Sequence, residues 1–325
     1  MIFQDPFDSL REVRERTKAM KMIEVEQQGS YNYTYSDAHE PVARVKAGQP
    51  VRIHCVDCFE NRLVDERMSY SEVCEYPYVN PQTGPVFIED VEPGDTLLVH
   101  IEDIEITRDW AVTGLVSNFG LLTGTRSTAM LNRPLPEVVR KLPIRDGRVW
   151  YGERSFPVKP FMGTIGTAPK LEAINALTPS YYGGNMDCPE TCPGNTLHLP
   201  VRADGGLFFC GDGHALQGHG EIGGVACEVP VNLVCRFEIR KGDDIDWPRV
   251  TNDEYMMTIG SARPLDDAAR IACSELVKWV ASDYGLDEPE ALVWLTQIVE
   301  LRIGNICDPN YSVVAAVKRE HLEAG

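Results

Sequence analysis

A glycine-rich segment of the sequence, GDGHALQGHGEIGG at residues 211–224, holds the side chains best suited to chemistry. Asp212 and His214 are two positions apart, so on an extended segment both side chains point to the same face. A carboxylate oxygen and an imidazole nitrogen that converge in this way can bind one divalent metal ion. Glu221 can return to the same place as a general base, and glycine lets the backbone approach a ligand closely. A series of tight turns with a surface histidine is the alternative.

A second polar cluster, GGNMDCPETCPGNT, occupies residues 183–196. Asn185 and Asp187 are again two positions apart. An Asx-turn loop explains this pattern as well as a functional site does, and the spacing alone does not decide between them.

The cysteines give little support to a structural metal site. Cys188 and Cys192 have C-x3-C spacing, and Cys55 and Cys58 form C-V-D-C. Neither pair has the distal CxxC or HxxxH partner of a zinc ribbon. Asp57, between the latter two thiols, is therefore of more interest than the thiols themselves.

Several common enzyme classes lack their motifs here. The sequence has no G-x-S-x-G nucleophile elbow, no P-loop, no dinucleotide-binding G-x-G-x-x-G after a strand and no recognisable cysteine-nucleophile signature. The formal charge of −18, from 31 Lys and Arg against 49 Asp and Glu, argues against nucleic acid and anionic membranes as partners. Without a signal-peptide pattern or a long apolar stretch, we expect a cytoplasmic protein whose ten cysteines are free thiols.

Most of the chain has the pattern of short strands. Segments such as GDTLLVHIEDIEI and VACEVPVNLVCRFEIRKG alternate apolar and polar residues and end at Gly, Pro, Asp or Asn. This pattern predicts a β-rich α+β fold with a β-sandwich or barrel-like body over about residues 25–260. No linker or repeat interrupts the chain, so residues 1–325 are predicted to form a single unit.

Helical spacing is found mainly near the C-terminus, where a helical portion is predicted over about residues 261–325. PLDDAARIACSELVKWVASDYG has apolar residues at three- and four-residue steps and ends at Gly285. A second helix is predicted in LDEPEALVWLTQIVELRIG, with Asp287 as N-cap and Gly304 as its end. A short charged helix is predicted over residues 7–22.

Five segments, in the same order along the chain, resemble the acetamidase/formamidase family of amide hydrolases over most of residues 40–310. They are NPQTGPVFIEDVEPGDTLLVHIEDI, PFMGTIGTAP, GGNMD with NTLHLPV, LFFCGDGHALQGHGEIGGVACEVP and YMMTIGSARPLDDAARIA. The most specific is GDGHALQGHGE, which is similar to the family pattern G-D-x-H-A-x-Q-G-x-G-E.

The resemblance implies a β-rich fold with a smaller α/β portion, assembly into homo-oligomers, and metal-dependent hydrolysis of short linear amides to a carboxylate and ammonia. Zinc is the metal it implies first, with calcium as the second choice. We expect a bound metal to acidify its water and polarise the amide carbonyl. The family pattern also carries over to Glu228. Candidate metal ligands are Asp57, Asp187, Asp212 and His214; Glu221 is the candidate base, and Asn185 and Gln217 are candidates for orienting the substrate.

The chain departs from the family pattern in three places. His39 is displaced toward a proline, in a segment where tyrosines stand in place of the family's histidine. His219 stands where an acidic residue is frequent, and CPETCPG after Asp187 differs from the expected residues. These departures predict an altered substrate pocket. Hydrolysis of another C–N bond, in a lactam, ureido or guanidine-type compound, and non-catalytic binding of a small ligand or metal are the competing hypotheses.

Overall fold

The computed structural model describes residues 21–122 and 135–323. Two β-sheets dominate these residues, which confirms the predicted β-rich α+β fold. The helix predicted over residues 7–22 lies outside the described residues except for its last two positions, which are not helical.

The first sheet has nine strands and contains the two longest alternating segments of the sequence, paired antiparallel at its centre. Its strands, in spatial order, are β1 (Ile23–Val25), β4 (Pro50–Cys55), β17 (Val231–Arg240), β6 (Thr96–Ile106), β14 (Thr196–Pro200), β18 (Arg249–Thr251), β19 (Tyr255–Ala262), β21 (Tyr311–Lys318) and β20 (Glu300–Ile303).

The second sheet has ten strands, most of them shorter, and it branches. Its main path is β10 (Arg154–Pro157), β9 (Arg148–Tyr151), β8 (Val138–Arg145), β7 (Trp110–Leu115), β16 (Glu228–Val229), β15 (Phe208–His214), β11 (Phe161–Thr167) and β13 (Gly183–Asn185). The branch from β15 is β5 (Thr83–Ile88) followed by β3 (Ala43–Val45). A separate pair joins β2 (Thr34–Ser36) and β12 (Ala173–Asn175).

The main hydrophobic core lies between the two sheets. Ile53 of β4 and Leu97 of β6 belong to the same fully buried cluster as Val86 of β5, Ile165 of β11 and Phe208 of β15. The alternation of the strands therefore produces a sandwich, because each sheet turns one apolar face toward the other.

Three α-helices occur in the described part of the chain: α1 (Tyr70–Val73), α2 (Leu265–Tyr284) and α3 (Glu288–Leu295), with a 3-10 turn at Arg319–His321. Helix α2 ends at Gly285 in the left-handed conformation and packs on β19 and β21, as its spacing predicts. Asp287 caps α3 by accepting a hydrogen bond from the Glu290 amide. None of these helices combines the length and apolar composition needed to span a bilayer.

The prediction that the second helix runs to Gly304 is wrong. The last part of residues 261–325, which was predicted to belong to a helical portion, forms strands. Helix α3 stops at Leu295, and β20 and β21 follow it. A turn follows Leu295, where the amides of Ile298 and Val299 both donate to the Leu295 carbonyl, and β20 begins at Glu300. Pairing with β21 then completes the edge of the first sheet.

Candidate functional site

The candidate site lies where strand β15 changes its partner. One edge of β15 pairs with β11 along its length. The other edge pairs with β5 at Phe208 and Cys210 and with β16 at Gly213 and His214. Asp212 lies between these two partners with a left-handed φ of 56°. The second sheet therefore opens at Asp212, and the opening exposes one end of β15 to a cleft.

The structure brings together most of the residues that the sequence singled out. Asp187, Asp212 and His214 each place one possible ligand atom within 4.8 Å of the other two. His214, Glu221 and Glu228 form a second group of this kind. All five residues are buried. The convergence of Asp212 and His214 expected from their spacing is confirmed, with Oδ1 of Asp212 3.3 Å from Nε2 of His214.

Gly163 of β11 makes room for this cluster. A Cβ atom at this position would lie 2.6 Å from carboxylate oxygens of both Asp187 and Asp212 and 2.9 Å from Cε1 of His214. Real Cβ atoms do not approach neighbours this closely, so the position requires glycine for steric reasons.

The orientation of His214 is fixed by Gln217. The Gln217 Nε2 group donates to the backbone carbonyls of Asp187 at 2.8 Å and Gly304 at 3.0 Å, so its Oε1 must accept from Nδ1 of His214, 2.9 Å away. Nε2 of His214 then faces Asp212 and, at 3.2 Å, Glu228. A neutral His214 would present a lone pair to two carboxylates, which only a proton or a cation can stabilise.

Burial dominates the electrostatics of the cluster. Burial raises the pKa of Glu228 to about 7 and that of Asp308 to about 7. Burial and the neighbouring carboxyl groups also raise the pKa of Asp187 and Glu221 well above the usual range. For Asp212, burial is outweighed by His214 and by hydrogen bonds, so its pKa is lowered. Negative charge in the cluster is therefore costly, and a proton or a cation can offset that cost.

Asn185 organises these carboxyl groups. Its Nδ2 donates to Asp187 at 2.9 Å and to Asp308 at 2.7 Å, and its Oδ1 accepts from Asn80 and Thr164. All its hydrogen-bonding capacity is used within the protein, where Asn185 positions carboxyl groups. Asn185 lines the cleft, and its role in orienting the substrate stays a prediction.

Four non-glycine residues of the site adopt left-handed backbone: Asn80 (φ 57°), Asp187 (φ 47°), Asp212 (φ 56°) and Glu221 (φ 43°). Such conformations cost on the order of 1 kcal/mol or more each and tend to cluster where function requires them. Their coincidence here supports assignment of this cleft as the functional site.

Asp57 is not part of the cluster, so the prediction that it binds metal with the others is not met. Its Oδ1 accepts from the backbone amides of Phe59 and Asn61, and its Oδ2 lies 2.8 Å from the Arg108 guanidinium. An aspartate after a strand can cap a turn as readily as it can bind a metal, and here the turn and the ion pair use both oxygens.

Gln217 fixes His214 and is not among the residues that line the cleft, and its role in orienting the substrate stays a prediction. His39 bonds to Thr34, and neither His39 nor the exposed His219 lines the cleft. The ten cysteines are free thiols, as expected.

Sequence reasoning missed Asn80, Thr164, Cys307 and Asp308. Asn80 donates to Oδ2 of Asp212 at 3.1 Å, and Sγ of Cys307 lies 3.6 Å from Oε2 of Glu221. The turn signals Asn-Pro at residues 80–81 and Asp-Pro at residues 308–309 were the available clues, and they indicate loops without indicating where the loops meet.

Two buried carboxylate oxygens in the cluster are poorly satisfied: Oδ1 of Asp187 has no hydrogen-bond partner among the described residues, and Oε2 of Glu228 has only Nε2 of His214 nearby, at 3.2 Å. Unpaired buried oxygens are costly unless a cation satisfies them. Together with His214 Nε2, they form a donor set of one nitrogen and several oxygens, which fits a divalent metal ion. The cleft in front of them has a volume of about 620 Å³, within the range of small-molecule sites.

Comparisons with known proteins agree with this geometry. An acetamidase from Yersinia enterocolitica has the same fold with a TM-score of 0.91, 38% identity and coverage of 94% of each chain. An acetamidase from Bacillus halodurans matches with a TM-score of 0.85 and 29% identity over 92% of this chain and 98% of its own. A formamidase from Methylophilus methylotrophus is 25% identical over 247 residues, and the match spans 61% of this chain and 60% of that relative.

The family model described as "Acetamidase/Formamidase family" matches residues 18–176 and 171–321, which together cover most of the sequence. The matched ranges include every residue of the cluster. The chain therefore belongs to the Acetamidase/Formamidase family.

Proposed function

We propose that this protein hydrolyses linear primary amides to a carboxylate and ammonia with the help of a divalent metal ion. The observation that carries the proposal is the meeting of Asp187, Asp212, His214, Glu221 and Glu228 in one buried cluster, whose four carboxyl groups line one cleft. The names of the relatives, acetamidase and formamidase, support the reaction class.

The residues that would hold the metal are Asp187, Asp212 and His214, with Glu228 facing the same imidazole nitrogen. Zinc is our first choice, because it accepts a mixed set of imidazole and carboxylate ligands, whereas calcium prefers oxygen ligands alone. When bound, such an ion supplies Lewis-acid polarisation of the amide carbonyl and a more acidic water.

Glu221 is the group placed to move the proton. Burial raises the pKa of Glu221 above its usual range, which makes its carboxylate a stronger base toward water than that of a surface glutamate. In the hydrolysis, Glu221 accepts a proton from the attacking water, the C–N bond breaks, and the same proton passes to the leaving nitrogen. The water oxygen forms the new C–O bond of the acid product, and the second water proton leaves that acid and is taken up by ammonia, so the products at neutral pH are a carboxylate and ammonium.

Burial also argues against a purely structural role for these residues. A structural role would suit residues that are exposed and far apart, but every member of the cluster is at least nine-tenths buried and its four carboxyl groups line one cleft. Homo-oligomeric assembly and a cytoplasmic location stay predictions.

The test is ammonia release from formamide and acetamide by chelator-treated protein, with and without added Zn²⁺. We expect release that Zn²⁺ restores and that Glu221→Gln lowers by about 10³-fold, the range for loss of a general base. Glu153→Gln, at an exposed turn outside the cleft, is the matched control. No release from any amide with any metal would refute the proposal.

A further inference from the structure

The cleft has two chemically different sides. Its floor carries the carboxyl groups of the cluster. A second part of its lining, which adjoins the floor at Cys58, belongs to a single hydrophobic cluster that continues into the protein through Leu63, Val112 and Val139. We call this side the apolar wall; it consists of Cys58, Phe59, Tyr70, Cys74, Val116 and Val225.

The cleft is much larger than the smallest amides. Acetamide has four heavy atoms and fills roughly 100 Å³ if each atom takes about the volume of a water molecule. The cleft volume is about 620 Å³. A substrate of that size would leave the apolar wall in contact with water, and the wall would contribute nothing to binding.

The charges along the cleft select the kind of group that can fill the remaining space. The cluster contributes the carboxyl groups of Asp187, Asp212, Glu221, Glu228 and Asp308. Arg263 is the one Lys or Arg side chain among the described residues that line the cleft.

The Arg263 guanidinium is held in place by the protein. Its Nε and Nη2 groups donate to the backbone carbonyls of Asp308 and Cys307, and it lies 4.3 Å over the ring of Tyr311. A substrate with a second, negatively charged end would therefore meet those five carboxyl groups against this single positive charge.

On the basis of the proposed function, we infer that the preferred substrate is a neutral primary amide whose acyl group carries an apolar chain or ring. The amide carbon lies at the floor beside Asp212 and Glu221, and the apolar part of the acyl group lies along the apolar wall. The reaction remains hydrolysis of one C–N bond by one water, so the products are a longer carboxylate and ammonia.

The test compares kcat/KM for acetamide, butanamide, hexanamide and the monoamide of adipic acid on the zinc-supplemented full chain. Each buried methylene strengthens binding about threefold to fourfold, so we expect hexanamide to exceed acetamide at least tenfold. The adipic monoamide has the length of hexanamide but ends in a carboxylate, and we expect its kcat/KM to fall at least about tenfold below that of hexanamide.

A variant that fills the space beside the wall links the preference to this surface. Val116→Phe is expected to lower the ratio of hexanamide to acetamide kcat/KM about tenfold, because one large ring replaces several methylene contacts. Val64→Phe adds the same ring at an exposed position outside the cleft and is expected to keep the ratio. Circular dichroism checks that both variants fold. The comparison of the four amides on the wild-type protein tests the inference even if a variant does not fold.

The outcomes separate the two proposals. If no amide is hydrolysed, the proposed function fails. If acetamide is hydrolysed and kcat/KM falls with chain length, the proposed function stands and the inference is overturned. Equal turnover of hexanamide and the adipic monoamide would overturn the exclusion of negative charge.

Discussion

Two buried histidines, one on each sheet, have opposite pKa shifts. His198 of β14 is 2% exposed; burial, with Arg240 and Arg249, lowers its pKa to about 3. His214 of β15 is 1% exposed; burial opposes its charge, but Glu228 and Asp212 raise its pKa well above the usual range.

The difference lies in the partners, since burial is the same. His198 accepts or donates one hydrogen bond with the Thr251 hydroxyl at 2.9 Å within a regular sheet. His214 lies where the sheet opens and carboxyl groups from several segments gather. The regular sheet therefore buries a neutral imidazole. The interrupted sheet places an imidazole among several carboxyl groups, an arrangement typical of functional sites.

Replacing each histidine in turn is the strongest test of this contrast. We expect His214→Gln to lower kcat/KM for amides by about 10³-fold, because the imidazole nitrogen facing the carboxylates is lost. His198→Gln, which keeps a polar group near Thr251 and lies outside the cleft, should retain activity within a few-fold. Steady-state kinetics of the two variants gives the result, and equal losses would contradict the contrast.

Gly163→Ala tests the site without changing any ionisable group. The added methyl would displace the carboxyl groups of Asp187 and Asp212 and the ring of His214. A displacement of about 1 Å lowers kcat/KM on the order of 10²-fold. Gly218→Ala is the control, because a Cβ there meets nothing within 4 Å and its φ is ordinary. Near-normal activity of Gly163→Ala would show that the cluster tolerates displacement.

The smallest expected effect is on acid stability. The pKa of His198 is about 3 in the folded protein and about 6.5 in the unfolded chain, so the unfolded state binds its proton first as pH falls. Its contribution to stability is complete above pH 6.5 and is lost as pH falls toward 3. Between pH 7 and pH 5 the loss is about 2 kcal/mol.

Urea unfolding of the wild type and of His198→Gln at both pH values measures this loss. The carboxyl groups of the cleft titrate in the same range. Subtracting the change in unfolding free energy of His198→Gln from that of the wild type cancels their contribution. An unchanged pH dependence in His198→Gln would mean that this imidazole is accessible to protons in the folded state.

Local patterns in the sequence predict most of the secondary structure. The alternation of residues 96–106 and 231–240 and the spacing of α2 are properties of single segments, so they can be read without knowing the rest of the fold. The end of α3 could not be predicted in this way, because pairing of β20 with β21 decides it.

The site was predictable only where its residues are neighbours in sequence. Asp212 and His214 converge as their spacing requires, and the family pattern correctly adds Asp187 and Glu221 to the same cleft. Asp308 meets Asn185 across 123 residues, a contact that no local pattern encodes. Asp57 matches the family pattern, yet its carboxylate caps a turn and forms an ion pair with Arg108. The sequence pattern does not encode this tertiary contact.

The change of partner along β15 has a consequence for the order of folding. Asn80, which precedes β5, reaches Asp212 across 132 residues, and Glu228 of β16 reaches it from the other side of the gap. Contacts of such long range close late, because the entropy of large loops must be overcome first. During refolding, amide hydrolysis should therefore return after most of the β-sheet signal in circular dichroism, which makes activity a sensitive reporter of the last assembled contacts.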